Sequence, residues 1–237
     1  MAFGSADRWF FDTWSLGYDQ AIVQRLAYRP VHDAVLRALG AETEAARVLD
    51  LGCGTGELTR RLTQAFPHAS VVGCDFSTGM LRRAAAKTDA AYWVRGDACR
   101  LPFGDGVFDA IVSTEAFHWF PDQARALNEC RRVLMPGGRL LLALVSPPLP
   151  FVSSLAHVGS RLIGQPFYWP TQAGIRAQLE NAGFEIELQQ RVFRFPGLLL
   201  LPLLTTAVSP ERRHRHRSMK KSRPSSRRQA RPPTSHS

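Results

Sequence analysis

A glycine-rich loop between a buried strand and a helix constrains this chain more than any other feature. Residues 48–59 read VLDLGCGTGELT, and the loop glycines are Gly52, Gly54 and Gly56. Glycine lets the backbone turn sharply and lets a ligand approach the N–H groups, while the N-terminus of the next helix favours a negative group or a lone pair. The spacing is G-x-G-x-G, with Asp50 two residues before the first glycine. It therefore differs from the G-x-G-x-x-G of dinucleotide sites and disfavours NAD.

Strand and helix signals alternate along most of the chain. Short apolar runs predict strands at Arg47–Leu51, Ser70–Cys74, Tyr92–Arg95, Phe108–Ser113 and Arg139–Val145, with a less regular one at Phe184–Phe193. Helical periodicity follows the glycine loop, and further helix starts are predicted at Ser77, at Asp122 and at Thr171. This alternation predicts an α/β fold with a doubly wound, mostly parallel, Rossmann-like sheet and helices on both faces.

Two further motifs follow the loop in the order expected for a nucleotide-type pocket. Asp75, in VVGCDFS, ends the second strand 23 positions after Gly52, where a doubly wound fold brings an acid to ribose hydroxyls. Asp97 and Ala98, in RGDACRLPF, follow the third strand. With the glycine loop, these motifs resemble the class I S-adenosylmethionine-dependent methyltransferases. The resemblance is to the small-molecule branch that includes ubiquinone and menaquinone biosynthesis enzymes, and it spans roughly Asp12 to Phe193.

The resemblance implies S-adenosylmethionine as the cofactor and no metal. The glycine loop would hold the methionine end of the cofactor, and Asp75 would bind its ribose. Phe76 and Met80 would flank the adenine, although apolar residues that open a helix are more often plain core. Asp97 would meet the adenine amino group, and the backbone N–H of Ala98 would meet its ring. The residues implied at the methionine end are Asp50, Gly52, Gly54 and Gly56.

The segment after the fourth strand, STEAFHWF at 113–120, is predicted to lie at the carboxyl edge of the sheet, where open α/β folds bind ligands. It offers Glu115, His118 and Trp119 toward an acceptor. His118 could serve as a general base near neutral pH, or it could be a histidine hydrogen-bonded at a loop and helix start. Methyl transfer needs mainly an oriented acceptor, so no catalytic residue is strictly required.

The acceptor class is constrained by absent motifs and by apolar segments. The [DNS]-P-P-[YF] motif typical of base-amine methylation is missing after the fourth strand, and no Pro-Cys dipeptide exists for cytosine C5 chemistry. The apolar, aromatic segment Leu149–Trp169 suggests an apolar lid, although ordinary packing explains it equally well. At the N-terminus, Phe10, Trp14 and Tyr18 share a helix face, and Tyr18 is the lid candidate. These features predict methylation of oxygen or carbon on a small, lipophilic acceptor.

The chain divides into four predicted regions. Residues 1–46 form a helical lid region, 47–195 the methyltransferase domain, 196–210 an apolar segment and 211–237 a basic, disordered tail. Because Pro202 interrupts the apolar segment, a seventh central strand is not expected there. The tail has ten basic residues and one acid, whereas residues 1–210 carry a net charge of about +1. The tail could contact nucleic acid or an anionic surface, or it could be incidental.

Two rival functions remain open at this point. One is an RNA-associated or scaffold protein that retains the fold, and the other is an inactive cofactor-binding domain. Cys53, Cys74, Cys99 and Cys130 form no C-x-x-C pair, which disfavours a disulfide framework or a zinc site and predicts a cytoplasmic protein. The longest apolar run, Gly197–Leu204, is far short of the ~20 residues a membrane span needs.

Overall fold

A computed structural model describes residues 28–40, 46–146, 158, 168–192 and 201–210 of the chain. The strands are β1 (Arg47–Leu51), β2 (Ser70–Asp75), β3 (Tyr92–Arg95), β4 (Phe108–Thr114), β5 (Leu134–Ser146), β6 (Glu185–Arg191) and β7 (Leu201–Val208). The helices described are α1 (Arg29–Leu39), α2 (Glu57–Ala65), α3 (Thr78–Ala85), α4 (Gln123–Val133) and α5 (Gln172–Asn181). A 3-10 turn at Phe117–Trp119 lies between β4 and α4.

The strands form one sheet in the order β3-β2-β1-β4-β5-β7-β6. Strands β1 to β5 pair in parallel, and β7 runs antiparallel to both β5 and β6. The order reverses between β1 and β4, which is the position where doubly wound folds bind ligands. The predicted doubly wound, mostly parallel α/β sheet is therefore confirmed.

Both faces of the sheet are buried, as β5 shows most clearly. Leu140, Leu142 and Leu144 pack with α4 and α5 on one face, whereas Leu141 and Ala143 pack with α1 and α2 on the other. Successive side chains of a strand point to opposite faces, so an unbroken apolar run serves two cores at once. This is why β5 is a continuous apolar run rather than an alternating pattern.

Polar side chains fix the starts of three helices. The Ser77 hydroxyl accepts a hydrogen bond from the Met80 amide at 3.1 Å, which makes Ser77 the N-cap of α3 as predicted. Asp122 caps α4 through the amide of Arg125, and Thr171 caps α5 through the amide of Gly174. Such caps satisfy backbone donors that the helix leaves unpaired.

The expectation that Pro202 excludes a seventh central strand is wrong. Pro202 pairs with Val145 of β5, at the second position of β7. Its carbonyl accepts the amide of Val192, one residue beyond the end of β6. A proline costs a sheet the hydrogen bond its missing N–H would donate. Here that bond would point toward the chain just after β6, so β7 forms with its ladder to β5 intact. Residues 201–208 belong to the sheet and not to a separate segment.

Several predicted features lie outside the described residues. They include Tyr18 with Phe10 and Trp14, the segment Leu149–Trp169 except for positions 158, 168 and 169, and the basic tail from 211 onward. Within the described part of the chain, no helix combines the length and apolar character that a bilayer-crossing segment requires.

Candidate active site

A cavity of about 270 Å³ opens at the carboxyl ends of β1, β2 and β4. This volume is near the lower end of the range typical for small-molecule sites, about 300–1,000 Å³. Its described lining residues are Tyr28, Gly52, Gly54, Asp75, Phe76, Met80, Thr114, Glu115, Ala116, His118, Trp119, Phe120 and Trp169. Eight of the thirteen site residues named from the sequence therefore lie on one wall, at the edge of the sheet where ligands are expected.

The glycine loop is tied to the end of β2. The amides of Gly52 and Cys53 both donate to the Cys74 carbonyl, at 2.8 and 3.1 Å. The Gly54 amide donates to Asp75 Oδ2 at 2.9 Å, and Asp75 Oδ1 accepts the amide of Ser77 at 2.9 Å. The Asp75 carboxylate thus joins the loop after β1 to the start of α3, and it is held in a fixed orientation on the cavity wall.

The loop glycines differ in what surrounds them. At Gly54 the backbone has a φ of +53°, and a Cβ there would meet nothing within 4 Å. At Gly56 a Cβ would lie 2.6 Å from the indole of Trp93 and 2.7 Å from the Cβ of Ala84. Gly54 therefore leaves open space for a ligand, whereas Gly56 lies off the cavity wall and allows close packing of the loop on β3 and α3.

Asp50 is buried below the loop and does not line the cavity. Its Oδ2 accepts a hydrogen bond of 2.6 Å from the hydroxyl of Thr59, on the first turn of α2. Burial raises the pKa of Asp50 to about 7, hydrogen bonds from Thr59 oppose that rise, and the Asp75 carboxylate adds to it. The carboxyl group thus links the end of β1 to α2.

The residues implied to hold adenine fall into two groups. Phe76 and Met80 line the cavity at the start of α3, and Met80 is also buried. Asp97 and Ala98 are not among the described lining residues. Asp97 Oδ1 accepts the amide of Cys99 at 2.8 Å, and the Cys99 carbonyl accepts Nε of Arg125 at 2.9 Å. These two bonds fix the turn after β3 against α4.

Glu115 is the acid of the cavity wall that has an unusual backbone conformation. Its φ of +51° is the only positive value among non-glycine residues in the described ranges. Its Oε2 accepts the amide of Val145 at 3.2 Å, whereas its buried Oε1 has no hydrogen-bond partner. Burial raises the pKa of Glu115 to about 7, and the Val145 bond only partly opposes that rise. The burial of this carboxyl group thus favours its protonated form far more than in a solvent-exposed glutamate.

His118, in the turn after β4, contacts the rings of two tryptophans. Its ring centroid is 5.1 Å from that of Trp119 and 5.8 Å from that of Trp169, with the second pair edge to face. Burial lowers the pKa of His118 to about 3, so the imidazole is neutral at physiological pH. A base with such a low pKa is a poor match for proton transfer near pH 7, which favours the alternative of a structural histidine at the loop and helix start.

Sequence reasoning did not single out five wall residues: Tyr28, Thr114, Ala116, Phe120 and Trp169. All five had a usable signal: Thr114, Ala116 and Phe120 lie in the segment 113–120 that was predicted at the carboxyl edge of the sheet. Trp169 ends the apolar segment proposed as a lid, and Tyr28 lies in the aromatic helical stretch before the first strand. The described residues contain no group of three or more histidines, cysteines or acids placed to hold a metal ion.

The wall fits S-adenosylmethionine in three respects. Gly54 leaves open space beside the loop that precedes α2, Asp75 presents a carboxylate, and Phe76 with Met80 offers apolar surface at the start of α3. These groups suit a carboxylate-bearing amino acid, a ribose diol and an adenine ring. The fold and this wall together define a Rossmann-like methyltransferase.

Comparison with known proteins supports the same class. A family model described as "Methyltransferase domain" matches residues 49–142. The demethylmenaquinone methyltransferase of Thermotoga maritima is 32% identical over 184 residues. The alignment covers 69% of this chain and 80% of the length of that protein. The malonyl-[acyl-carrier protein] O-methyltransferase of Methylococcus capsulatus is 34% identical over 205 residues, covering 81% of this chain and 71% of its own.

A solved structure extends the likeness to three dimensions. It contains a chain described as a methyltransferase in complex with the Haloferax volcanii Trm112 methyltransferase activator. The alignment has a TM-score of 0.69 and 26% identity, over 85% of this chain and 98% of that one. The chain belongs to the class I S-adenosylmethionine-dependent methyltransferases. Its cofactor is S-adenosylmethionine, and the alternative of a scaffold that merely retains the fold is not favoured.

Proposed function

We propose that this methyltransferase transfers a methyl group to oxygen or carbon of a small, lipophilic acceptor. The observation that carries the proposal is the aromatic part of the cavity wall, formed by Tyr28, Trp119, Phe120 and Trp169. None of the described lining residues is lysine or arginine, so the wall offers apolar surface rather than a cationic clamp. The relatives are named for demethylmenaquinone and malonyl-[acyl-carrier protein]: the first is a lipophilic acceptor of the proposed class, and the second, an anionic group on a carrier protein, is the contrasting acceptor.

The cofactor contacts are part of the same proposal. The open space at Gly54 would receive the methionine end, Asp75 would bind the ribose hydroxyls, and Phe76 with Met80 would contact the adenine. Asp50 would act through Thr59 by holding the loop against α2, since it lies below the cavity wall. Asp97, Ala98 and Gly56 would act by fixing the two loops that frame the site.

The chain's residues would contribute mainly orientation. When bound, S-adenosylmethionine supplies a methyl group on a positively charged sulfur, a leaving group that needs no further activation. The aromatic wall would hold the acceptor in line with that methyl group and exclude water, and positioning of this kind is worth about 7–11 kcal/mol in favourable cases. Glu115, with a pKa of about 7, is the wall group best matched to take up a proton near neutral pH.

The proposal also covers the cellular location of the protein, the lid before α1 and the basic tail. A cytoplasmic location is supported by the four cysteines, all of which are free and buried. The aromatic residues before α1, Tyr18 among them, would close the site as a lid. The basic tail is proposed to be dispensable, so that residues 1–210 should show the turnover of the full chain.

The test begins with S-adenosylhomocysteine, the product form of the cofactor, titrated into the protein by calorimetry. We expect micromolar binding that Asp75→Ala weakens by at least about a hundredfold, because a carboxylate that accepts charge-assisted hydrogen bonds contributes several kcal/mol. Asp89→Ala, in the exposed turn before β3, is the control. Turnover is then measured with demethylmenaquinone and with malonyl-[acyl-carrier protein]. Binding without turnover of any lipophilic acceptor would contradict the acceptor class while leaving the cofactor site intact.

A further inference from the structure

Gln123, the first residue of α4, has a buried side-chain amide whose nitrogen and oxygen both form hydrogen bonds. Its Nε2 donates to the carbonyl of Phe117 at 3.1 Å and to the carbonyl of Tyr168 at 3.0 Å. Its Oε1 accepts Nε2 of Gln178, on α5, at 3.1 Å. Gln123 does not line the cavity, and only 8% of its surface is exposed.

The two carbonyls that Gln123 binds belong to the two segments that carry the cavity tryptophans. Phe117 begins the 3-10 turn that ends at Trp119, and Tyr168 immediately precedes Trp169. The Tyr168 amide also donates to the His118 carbonyl at 3.0 Å. Both polar groups of the Tyr168 backbone are thus bound at this junction, one by the turn itself and the other by Gln123.

The ring contacts show which side chains are positioned by the hydrogen bonds that join Phe117 to Tyr168. The His118 imidazole contacts the indoles of both Trp119 and Trp169, at centroid distances of 5.1 and 5.8 Å. A shift of the Tyr168 backbone would carry Trp169 with it and move its indole away from His118 and along the cavity wall. On the cofactor side of the cavity, Gly54 and Asp75 are held by separate hydrogen bonds to the chain around β2.

We infer that Gln123 is a positioning residue for acceptor binding: by joining Phe117 to Tyr168 it fixes where the Trp169 indole stands on the cavity wall relative to the turn that carries Trp119. This inference rests on the proposed function, since it assigns the indole pair to a lipophilic, ring-containing acceptor. It makes acceptor affinity dependent on a side chain that the acceptor does not touch. It also makes cofactor affinity independent of that side chain.

The test uses Gln123→Glu at pH 8, a change that keeps the size of the side chain but replaces its two N–H donors with an acceptor. The control is Gln178→Leu, which removes the third bond of the network and leaves both carbonyl bonds in place. Three quantities are measured on the full chain. They are the Kd of S-adenosylhomocysteine by calorimetry, the Kd of 2-naphthol by fluorescence with S-adenosylhomocysteine present, and the exchange rate of the Tyr168 amide by NMR.

For Gln123→Glu we expect faster Tyr168 exchange, a Kd for 2-naphthol raised about tenfold, and a Kd for S-adenosylhomocysteine changed less than twofold. The tenfold figure corresponds to the loss of two neutral hydrogen bonds at the lower end of their usual strength. Gln178→Leu should behave as the wild type in all three measurements. A merely structural role for Gln123 would weaken both ligands together.

Two results would overturn the inference: unchanged Tyr168 exchange in Gln123→Glu, or equal weakening of 2-naphthol and S-adenosylhomocysteine. If the wild type itself binds no 2-naphthol, the proposed lipophilic acceptor is contradicted instead. The positioning role is then decided by Tyr168 exchange together with S-adenosylhomocysteine affinity. Faster exchange at unchanged cofactor affinity supports it, and any other combination refutes it.

Discussion

Replacing Glu115 with glutamine should stabilise the protein at alkaline pH and have little effect at acid pH. The folded-state pKa is about 7, against an ordinary value of 4.5. The folded state therefore binds more protons than the unfolded state between these two values, and its stability falls as the pH rises through that window. A shift of 2.5 units corresponds to a loss of about 3 kcal/mol in the free energy of unfolding, nearly all of it present at pH 8 and about a quarter of it at pH 5. Glutamine removes the ionisation and keeps an oxygen that can accept the Val145 amide.

The assay is thermal unfolding of the wild type and Glu115→Gln at pH 5, 6, 7 and 8. We expect the two melting temperatures to be close at pH 5. At pH 8 the melting temperature of the variant should be higher than that of the wild type by about 5–10 °C for a domain of this size. Glu185→Gln, at an exposed position of β6, is the matched control and should show no such divergence. A constant difference between Glu115→Gln and wild type across the pH range would refute the reasoning, because it would mean that the carboxyl group ionises alike in both states.

Two further predictions test the packing around the site. Gly56→Ala should lower the free energy of unfolding by about 3 kcal/mol in urea titrations, since the new Cβ meets Trp93 and is held at a φ of +76°. Gly137→Ala has a similar φ of +78° with nothing within 4 Å, so a cost of about 1–2 kcal/mol is expected, and an equal cost for both would show that the contact with Trp93 does not matter. Burial, with a smaller contribution from Arg61, lowers the pKa of His32 to about 4, so the unfolded state binds more protons between pH 4 and 6.5 and stability falls as the pH is lowered through that range. Between pH 7 and 4.5 the free energy of unfolding should therefore fall by about 2–3 kcal/mol less in His32→Leu than in the wild type. Equal falls in the two proteins, measured by urea titration at both pH values, would contradict this explanation.

Much of the fold could be predicted because its signals are local. Apolar runs bounded by glycine or aspartate predicted β1 to β4 to within a residue, and the Ser77 cap could be read from the sequence. The prediction from Pro202 was wrong because a proline weakens a strand only if its nitrogen faces a neighbouring strand that needs the missing N–H. Here the neighbour is the chain just beyond β6, a tertiary fact that no local pattern contains.

In the candidate site too, some residues could be predicted from local sequence and others depend on contacts made only in the folded chain. The glycine loop and Asp75 stand at strand ends, where the fold class alone places them on the cavity wall. Gln123 could not be found from sequence, because its two carbonyl partners are 6 and 45 residues away and meet only in the folded chain. The strain at Glu115 was likewise hidden, since a positive φ at a glutamate has no marker in composition or spacing.

The position of β7 has a consequence for how the chain acquires its structure during synthesis. Strand β7 is the last described strand in the sequence, yet it lies between β5 and β6. Until it emerges from the ribosome, β5 has an open edge along most of its length and β6 has no neighbour in the sheet. Such unpaired edges are sites of intermolecular pairing. Translation that stops before residue 201 should therefore yield an aggregating product even though the cofactor loop is already complete, and late-acting chaperones would have their greatest effect during this interval.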